Sequence, residues 1–163
     1  MRAGKLARMN TVRLAQTIQQ GATFKARVQR LCCPYPFRVE NERLVHATTG
    51  KLIPMADLVP VDYTGARARM QLRRSITSPE VLFEFSTEPT ASQGRMVLMA
   101  DGWIELTISA ELTAAMPYGK RAGQWSTAIG HLEVIYAEGT VERAFEIDFY
   151  LDPEVTRDDS SSS

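Results

Sequence analysis

The 163-residue chain predicts an all-β protein: an antiparallel β-sandwich with one short helix and a basic N-terminal arm. Three observations carry that expectation. Apolar and polar residues alternate with period two in one segment after another, which puts one face of a strand in a core and the other in water. Turn-forming residues such as Asp-Gly and Glu-Gly separate these segments. The strand–helix alternation of a parallel sheet is missing.

The elements follow in order. Residues 1–13 read as an arm, with loosely spaced apolar residues that become a strand near Leu14 to Gln19. Gly21 punctuates the chain. Phe24, Ala26 and Val28 then alternate with Lys25, Arg27 and Gln29, a half-buried strand. Cys32 to Pro36 reads as a turn, because Pro34 and Pro36 cannot donate to a ladder. Phe37 to Glu40 and Arg43 to Ala47 form a short hairpin around Asn41. Leu52 to Val61 holds Pro54 and Pro60 and reads as loop or irregular edge. Residues 32–55 are therefore expected to be an elaborated connection between core strands, removable without loss of thermal stability.

Asp62-Tyr63-Thr64-Gly65 is a turn. Ala66, Ala68, Met70 and Leu72 alternate with Arg67, Arg69, Gln71 and Arg73. Val81, Phe83 and Phe85 share one strand face. Arg95 to Ala100 and Trp103 to Ile108 flank Asp101-Gly102, two residues that tolerate positive φ and predict a two-residue hairpin turn. Ser109 to Met116 is helical: Ser109 caps it, Glu111 suits its positive end and Pro117 stops it. Gln124 to Ala137 and Thr140 to Leu151 form a long hairpin around Glu138-Gly139. On the second strand Val141, Arg143, Phe145, Ile147 and Phe149 are expected on one face. Residues 158–163 are a serine-rich tail, expected to be disordered. The sum is one domain, residues 14–157, of roughly immunoglobulin-like architecture.

Charge is uneven. Net charge is zero, from 19 basic and 19 acidic residues. Yet residues 1–38 hold eight basic side chains and no acid, while residues 133–163 hold nine acids against Arg143 and Arg157. Opposite ends of opposite sign suit a head-to-tail contact between copies, with Arg2, Lys5, Arg8 and Arg13 as the candidate interface residues of the arm. The plain alternative is a solvated basic strand and an acidic tail. Serine is absent from residues 1–38, against a mitochondrial transit peptide, and no apolar block follows the first arginines, against a secretory signal. Met9 is an alternative start. No apolar run approaches the length of a membrane-spanning helix, and the neutral balance disfavours strong, non-specific nucleic-acid binding.

Catalytic and metal-binding patterns are sparse. Adjacent Cys32 and Cys33 exclude a disulfide framework and a four-cysteine zinc site; one is expected buried and the other partly exposed. The two histidines, His46 and His131, lie far apart, without metal-ligand spacing. A Ser109–His131–Asp101 triad can be drawn, but Ser109 has a local explanation as a helix cap. Asp101 with Glu105 is an equally weak carboxylate pair, since Asp101 belongs to the turn. Trp103 and Trp125 are candidates for sugar or base stacking, with a core role as the alternative. Arg67, Arg69, Arg73 and Arg74, with Lys120 and Arg121, form a basic face without interleaved aromatics, so single-strand stacking is not indicated. No enzyme and no cofactor is expected.

The order of signals is distinctive. Thr17-Ile18-Gln19-Gln20-Gly21-Ala22-Thr23-Phe24 opens it, followed by Val61-Asp62-Tyr63-Thr64-Gly65 leading into Ala66 to Arg73. Ser78-Pro79-Glu80-Val81-Leu82-Phe83-Glu84-Phe85 comes next, then Ile104 to Pro117, the Glu138-Gly139-Thr140-Val141 hairpin, and Pro153-Glu154-Val155-Thr156-Arg157. Over residues 14–157 this resembles the immunoglobulin-like proteins encoded among bacteriophage and prophage tail genes, and is similar to the N-terminal domain of phage baseplate upper proteins. The chain departs from that pattern at residues 32–55 and in the basic extension.

The resemblance implies a virion structural protein of the tail or baseplate, made in the bacterial host cytoplasm. It would be a non-enzymatic assembly module that links tail components or anchors fibres or spikes. Its partners would be other virion proteins and further copies of itself in a homo-oligomeric ring, with no membrane and no specific nucleic acid. A capsid decoration, head-fibre or head–tail adaptor protein is the alternative. A host-surface carbohydrate-binding module is a further class.

Overall fold

The computed structural model describes residues 7–8, 11–88, 93–116 and 126–153. The described chain is mostly strand, with one helix. In chain order the strands are β1 (Ala7–Arg8), β2 (Val12–Gln19), β3 (Phe24–Gln29), β4 (Leu31–Cys33), β5 (Phe37–Glu40), β6 (Arg43–His46) and β7 (Val59–Pro60). They continue with β8 (Arg67–Arg73), β9 (Phe83–Ser86), β10 (Gly94–Leu98), β11 (Trp103–Ile108), β12 (Ser126–Ile135) and β13 (Val141–Asp152); the helix α1 is Ala110–Ala114.

Eight strands form one sheet in the order β2-β13-β12-β8-β9-β10-β11-β3. Its two edge strands, β2 and β3, are consecutive in the chain. Laid flat, eight strands at ~4.8 Å spacing would put the edges ~34 Å apart. The five residues from Gln19 to Phe24 reach at most ~18 Å. The sheet therefore curls back over its own inner face. Phe24 of β3 accordingly meets Phe85 of β9 and Phe149 of β13, at ring separations of 6.4 and 6.3 Å. One core results, filled by the alternating residues of each strand: Ala68, Met70 and Leu72; Ile104, Leu106 and Ile108; Ile147, Phe149 and Leu151.

The sheet is mixed, where wholly antiparallel pairing was expected. β2 runs parallel to β13, its neighbour from the far end of the chain. β9 and β10 are also parallel, over Phe85↔Gly94 and Ser86↔Arg95. Here the end of one strand lies beside the start of the next, so the chain steps sideways without a long crossover.

A bulge corrects the expected facing of β13. Leu132 pairs with Phe145 but Glu133 pairs with Arg143, so Ala144 is an extra residue. An extra residue reverses the alternation beyond it. Ala144 and Phe145 are both buried, while Arg143 and Val141 turn outward and Glu142 turns inward.

Several local readings hold. Asn41 and Glu42 make the β5–β6 turn with φ of 47° and 62°. Asp101 and Gly102 both have positive φ, although the turn includes Ala100 as a third residue. Gly102 is required twice over: its φ is +74°, and a Cβ there would stand 2.3 Å from the Arg30 carbonyl oxygen. The Ser109 hydroxyl caps α1 by accepting from the Leu112 amide. Thr113 then anchors the helix by donating to the Ala22 carbonyl, 2.8 Å away, in the β2–β3 turn.

The Cys32–Pro36 reading needs correction. Strand β4 continues through Cys33, paired with β1 on one side and β7 on the other. Both cysteines are buried, and Cys32 belongs to the main core with Val61. Removal of residues 32–55 would therefore cut into the core; the surface part of this connection begins after Cys33.

Candidate interaction surface

The basic arm is only partly within the described residues. Arg2 and Lys5 lie outside them. Arg8 lies in β1, opposite Cys32 of the same chain. Arg13 lies in β2, opposite Glu146, with its Nε 3.2 Å from the carboxylate and its side chain 85 % exposed.

Residues 34–60 build a small surface lobe in which Tyr35 ties separate segments. Tyr35 donates to Asp57 at 2.6 Å and stacks on His46 at 5.1 Å. The hydrogen bond favours the neutral phenol, so the Tyr35 pKa is pushed up to about 12. Through these contacts the β5–β6 hairpin and the helical turn Met55–Asp57 share one support. The lobe carries large apolar side chains in water: Met55 is 73 % exposed and Leu52 59 %, with Val39 and Val59 also exposed. The elaborated connection was legible in the sequence, but these residues were not singled out. Pro54, which precedes the helical turn, and Pro60, in the edge strand β7, were the available signal.

The basic strand face exists, but much of its charge is engaged within the chain. Arg69 pairs with Glu133 at 3.1 Å. Arg73 donates to the Ser78 and Pro79 carbonyls and to Gln71. Arg67 and Arg74 are exposed, whereas Lys120, Arg121 and Trp125 lie outside the described residues. Between Arg69, Arg73, Ile76, His131 and Glu133 is an open cleft of about 370 Å³. Its mixed charges suit weak polar contact more than capture of one ion. No group of three metal-ligating side chains occurs among the described residues.

The drawn triad does not assemble. Asp101 and Ser109 sit at opposite ends of β11, ~26 Å apart along an extended chain, and the Ser109 hydroxyl is the helix cap. Glu105 is not paired with Asp101 but accepts from Arg27 at 2.8 Å, with Lys25 at 3.8 Å. The Arg27 hydrogen bond holds the Glu105 carboxyl below its ordinary pKa. Two hydrogen bonds from Thr64 do the same for Asp62. A depressed folded-state pKa contributes stability that is present above the unfolded value and lost as pH falls through the folded one. The melting temperature should thus fall on acidification below about pH 4, and less steeply in Glu105→Gln, as a calorimetric pH series would show.

A buried polar cluster was missed. Arg30 is 1 % exposed, with Nη1 donating to the Ala144 carbonyl at 3.2 Å and Nη2 3.6 Å from Glu142. Tyr136 donates to the same carboxylate at 3.5 Å. The Tyr63 hydroxyl is buried nearby, and desolvation pushes its pKa up. Grouping Arg30 with the other basic residues hid its phase: it falls in step with Phe24, Ala26 and Val28, on the inward side.

No protein-family model matches the chain, and no curated protein does. Among solved structures, murine CRIg is similar with a TM-score of 0.34 and 8 % identity, over 86 % of this chain and 92 % of that one.

Proposed function

We propose that this chain is a non-enzymatic assembly module of a bacteriophage virion, in the tail or baseplate, built on an immunoglobulin-like β-sandwich. The sandwich reading rests on the curled sheet, whose two edges close over one core. The virion setting rests on the order of sequence signals from Thr17 to Arg157. The observation that carries the assembly role is the lobe of residues 34–60. Exposed Leu52, Met55, Val39 and Val59 project from one small structure braced by Tyr35. Exposed apolar groups carried on one braced structure suit burial against another protein. The lobe then docks onto a neighbouring virion subunit, and the rigid core holds it in position.

The test is Leu52→Asp with Met55→Asp. Both residues are exposed, so the melting temperature should stay within a few degrees of wild type. Incorporation into purified particles should fall at least about tenfold, because two charges would enter an apolar contact. Normal incorporation of the variant would remove the lobe as the contact. Absence of the wild-type chain from particle density in cryo-electron microscopy would remove the virion reading itself.

A further inference from the structure

Among the described residues the outer edge of β2 is an open strand edge, and its hydrogen-bonding pattern can be read from one contact. The Gln20 amide donates to the Asp152 carbonyl at 2.9 Å, in register with the parallel β2–β13 pairing. In a parallel ladder both backbone groups of a residue point to the same side, and successive residues alternate. Even-numbered residues of β2 therefore bond β13. The N–H and C=O groups of Arg13, Ala15 and Thr17 point off the edge. Among the described residues no strand covers that side, and Arg13, Ala15 and Thr17 are all exposed.

The two edges of the sheet differ. β3 carries Lys25 and Arg27, charges of the kind that guard an edge against pairing. β2 has eight residues, Val-Arg-Leu-Ala-Gln-Thr-Ile-Gln, with a single charge, no proline and no glycine. A two-fold axis can be placed at Ala15, an outward-pointing position of the strand. Antiparallel pairing there sets Ala15 opposite Ala15 of a second copy, Arg13 opposite Thr17, Leu14 opposite Gln16 and Val12 opposite Ile18. The outward-pointing residues meet one another, as a hydrogen-bonded pair requires. The two arginines are kept apart. Each lands beside the other copy's Thr17, whose neighbour on β13 is Tyr150, flanked on the same face by Asp148 and Asp152. The charge arrangement thus favours a second copy of this strand.

We propose that β2 pairs antiparallel with β2 of a second copy of this chain about a two-fold axis at Ala15, joining two sheets edge to edge. This goes beyond the lobe contact and does not depend on the virion setting.

Proline supplies a selective probe. The Ala15 N–H points away from β13, so Ala15→Pro removes a bond to the second copy and none within the chain. Sedimentation of the full chain from micromolar to millimolar concentration should show a monomer–dimer equilibrium for wild type and for Ala15→Ser. In Ala15→Pro the dissociation constant should rise by about tenfold or more, with the melting temperature retained. Hydrogen exchange on the wild type decides independently of any variant. The amides of Arg13, Ala15 and Thr17 should gain protection as concentration rises, while those of Leu14 and Gln16 are protected throughout. A monomer at every concentration, a dimer indifferent to Ala15→Pro, or protection of those three amides only when a different protein is added would each overturn the proposal.

Discussion

Arg30→Met should lower the free energy of unfolding by about 3 kcal/mol, because it leaves a charge without its buried partner. The guanidinium holds Glu142 and the Ala144 carbonyl at the bulge of β13. Around it, the Arg30 amide donates to the Gly102 carbonyl and the Arg30 carbonyl accepts from the Val61 amide. One residue thus joins the β3–β4 bend, the β10–β11 turn, the segment leading to Tyr63 and the C-terminal strand. Methionine preserves the length of the side chain, so the loss reports charge more than volume. Urea denaturation measures it. Adding Glu142→Gln to Arg30→Met should recover part of the loss, since the uncompensated carboxylate is gone. A loss below 1 kcal/mol in Arg30→Met would show that Glu142 rehydrates freely.

Phe85→Ala should destabilise by about 4 kcal/mol, within the usual range for a fully buried phenylalanine. Phe85 is completely buried on β9 and stands among Phe24, Phe83 and Phe149, with ring separations of 6.4, 5.3 and 6.3 Å. These rings come from strands near both ends and the middle of the sheet, so the substitution removes the contact by which the curled sheet meets itself. Gly94 is fitted to the same rings: a Cβ there would stand 2.6 Å from both Phe83 and Phe85. Thermal unfolding should show a fall of roughly 10 °C or more for this chain length. Phe85→Leu should retain much of the stability, because volume is better conserved.

The phage-tail setting came from the order of short motifs and stands as a proposal, tested by the particle experiment. The candidate arm shows how far charge counting reaches. It found Arg13 but could not show that Arg13 belongs to a strand and that Ala7–Arg8 lies against β4. Counting cations along a chain has no information about which of them the fold will bury, and Arg30 was grouped with solvated neighbours for that reason. The exposed lobe residues escaped notice for the opposite reason: isolated apolar residues between prolines look the same in sequence whether or not another element covers them.

What the sequence determined by itself was local. Alternation marked β3, β8, β11 and much of β13; Asp101-Gly102 and Glu138-Gly139 marked turns; Ser109 marked the start of α1. Each depends on the chemistry of residues a few positions apart, through backbone conformation, capping or strand periodicity. Tertiary structure decided the rest: the parallel placement of β2 beside β13, the Ala144 bulge that turns Glu142 inward, the burial of Arg30, and the edge of β2 that no strand covers among the described residues. The β2–β13 pairing and the burial of Arg30 depend on contacts between residues separated by a hundred positions or more, as Arg30 is from Ala144. Such contacts exist only once the sheet has curled, because closure sets which faces leave water and which backbone groups remain without a strand beside them.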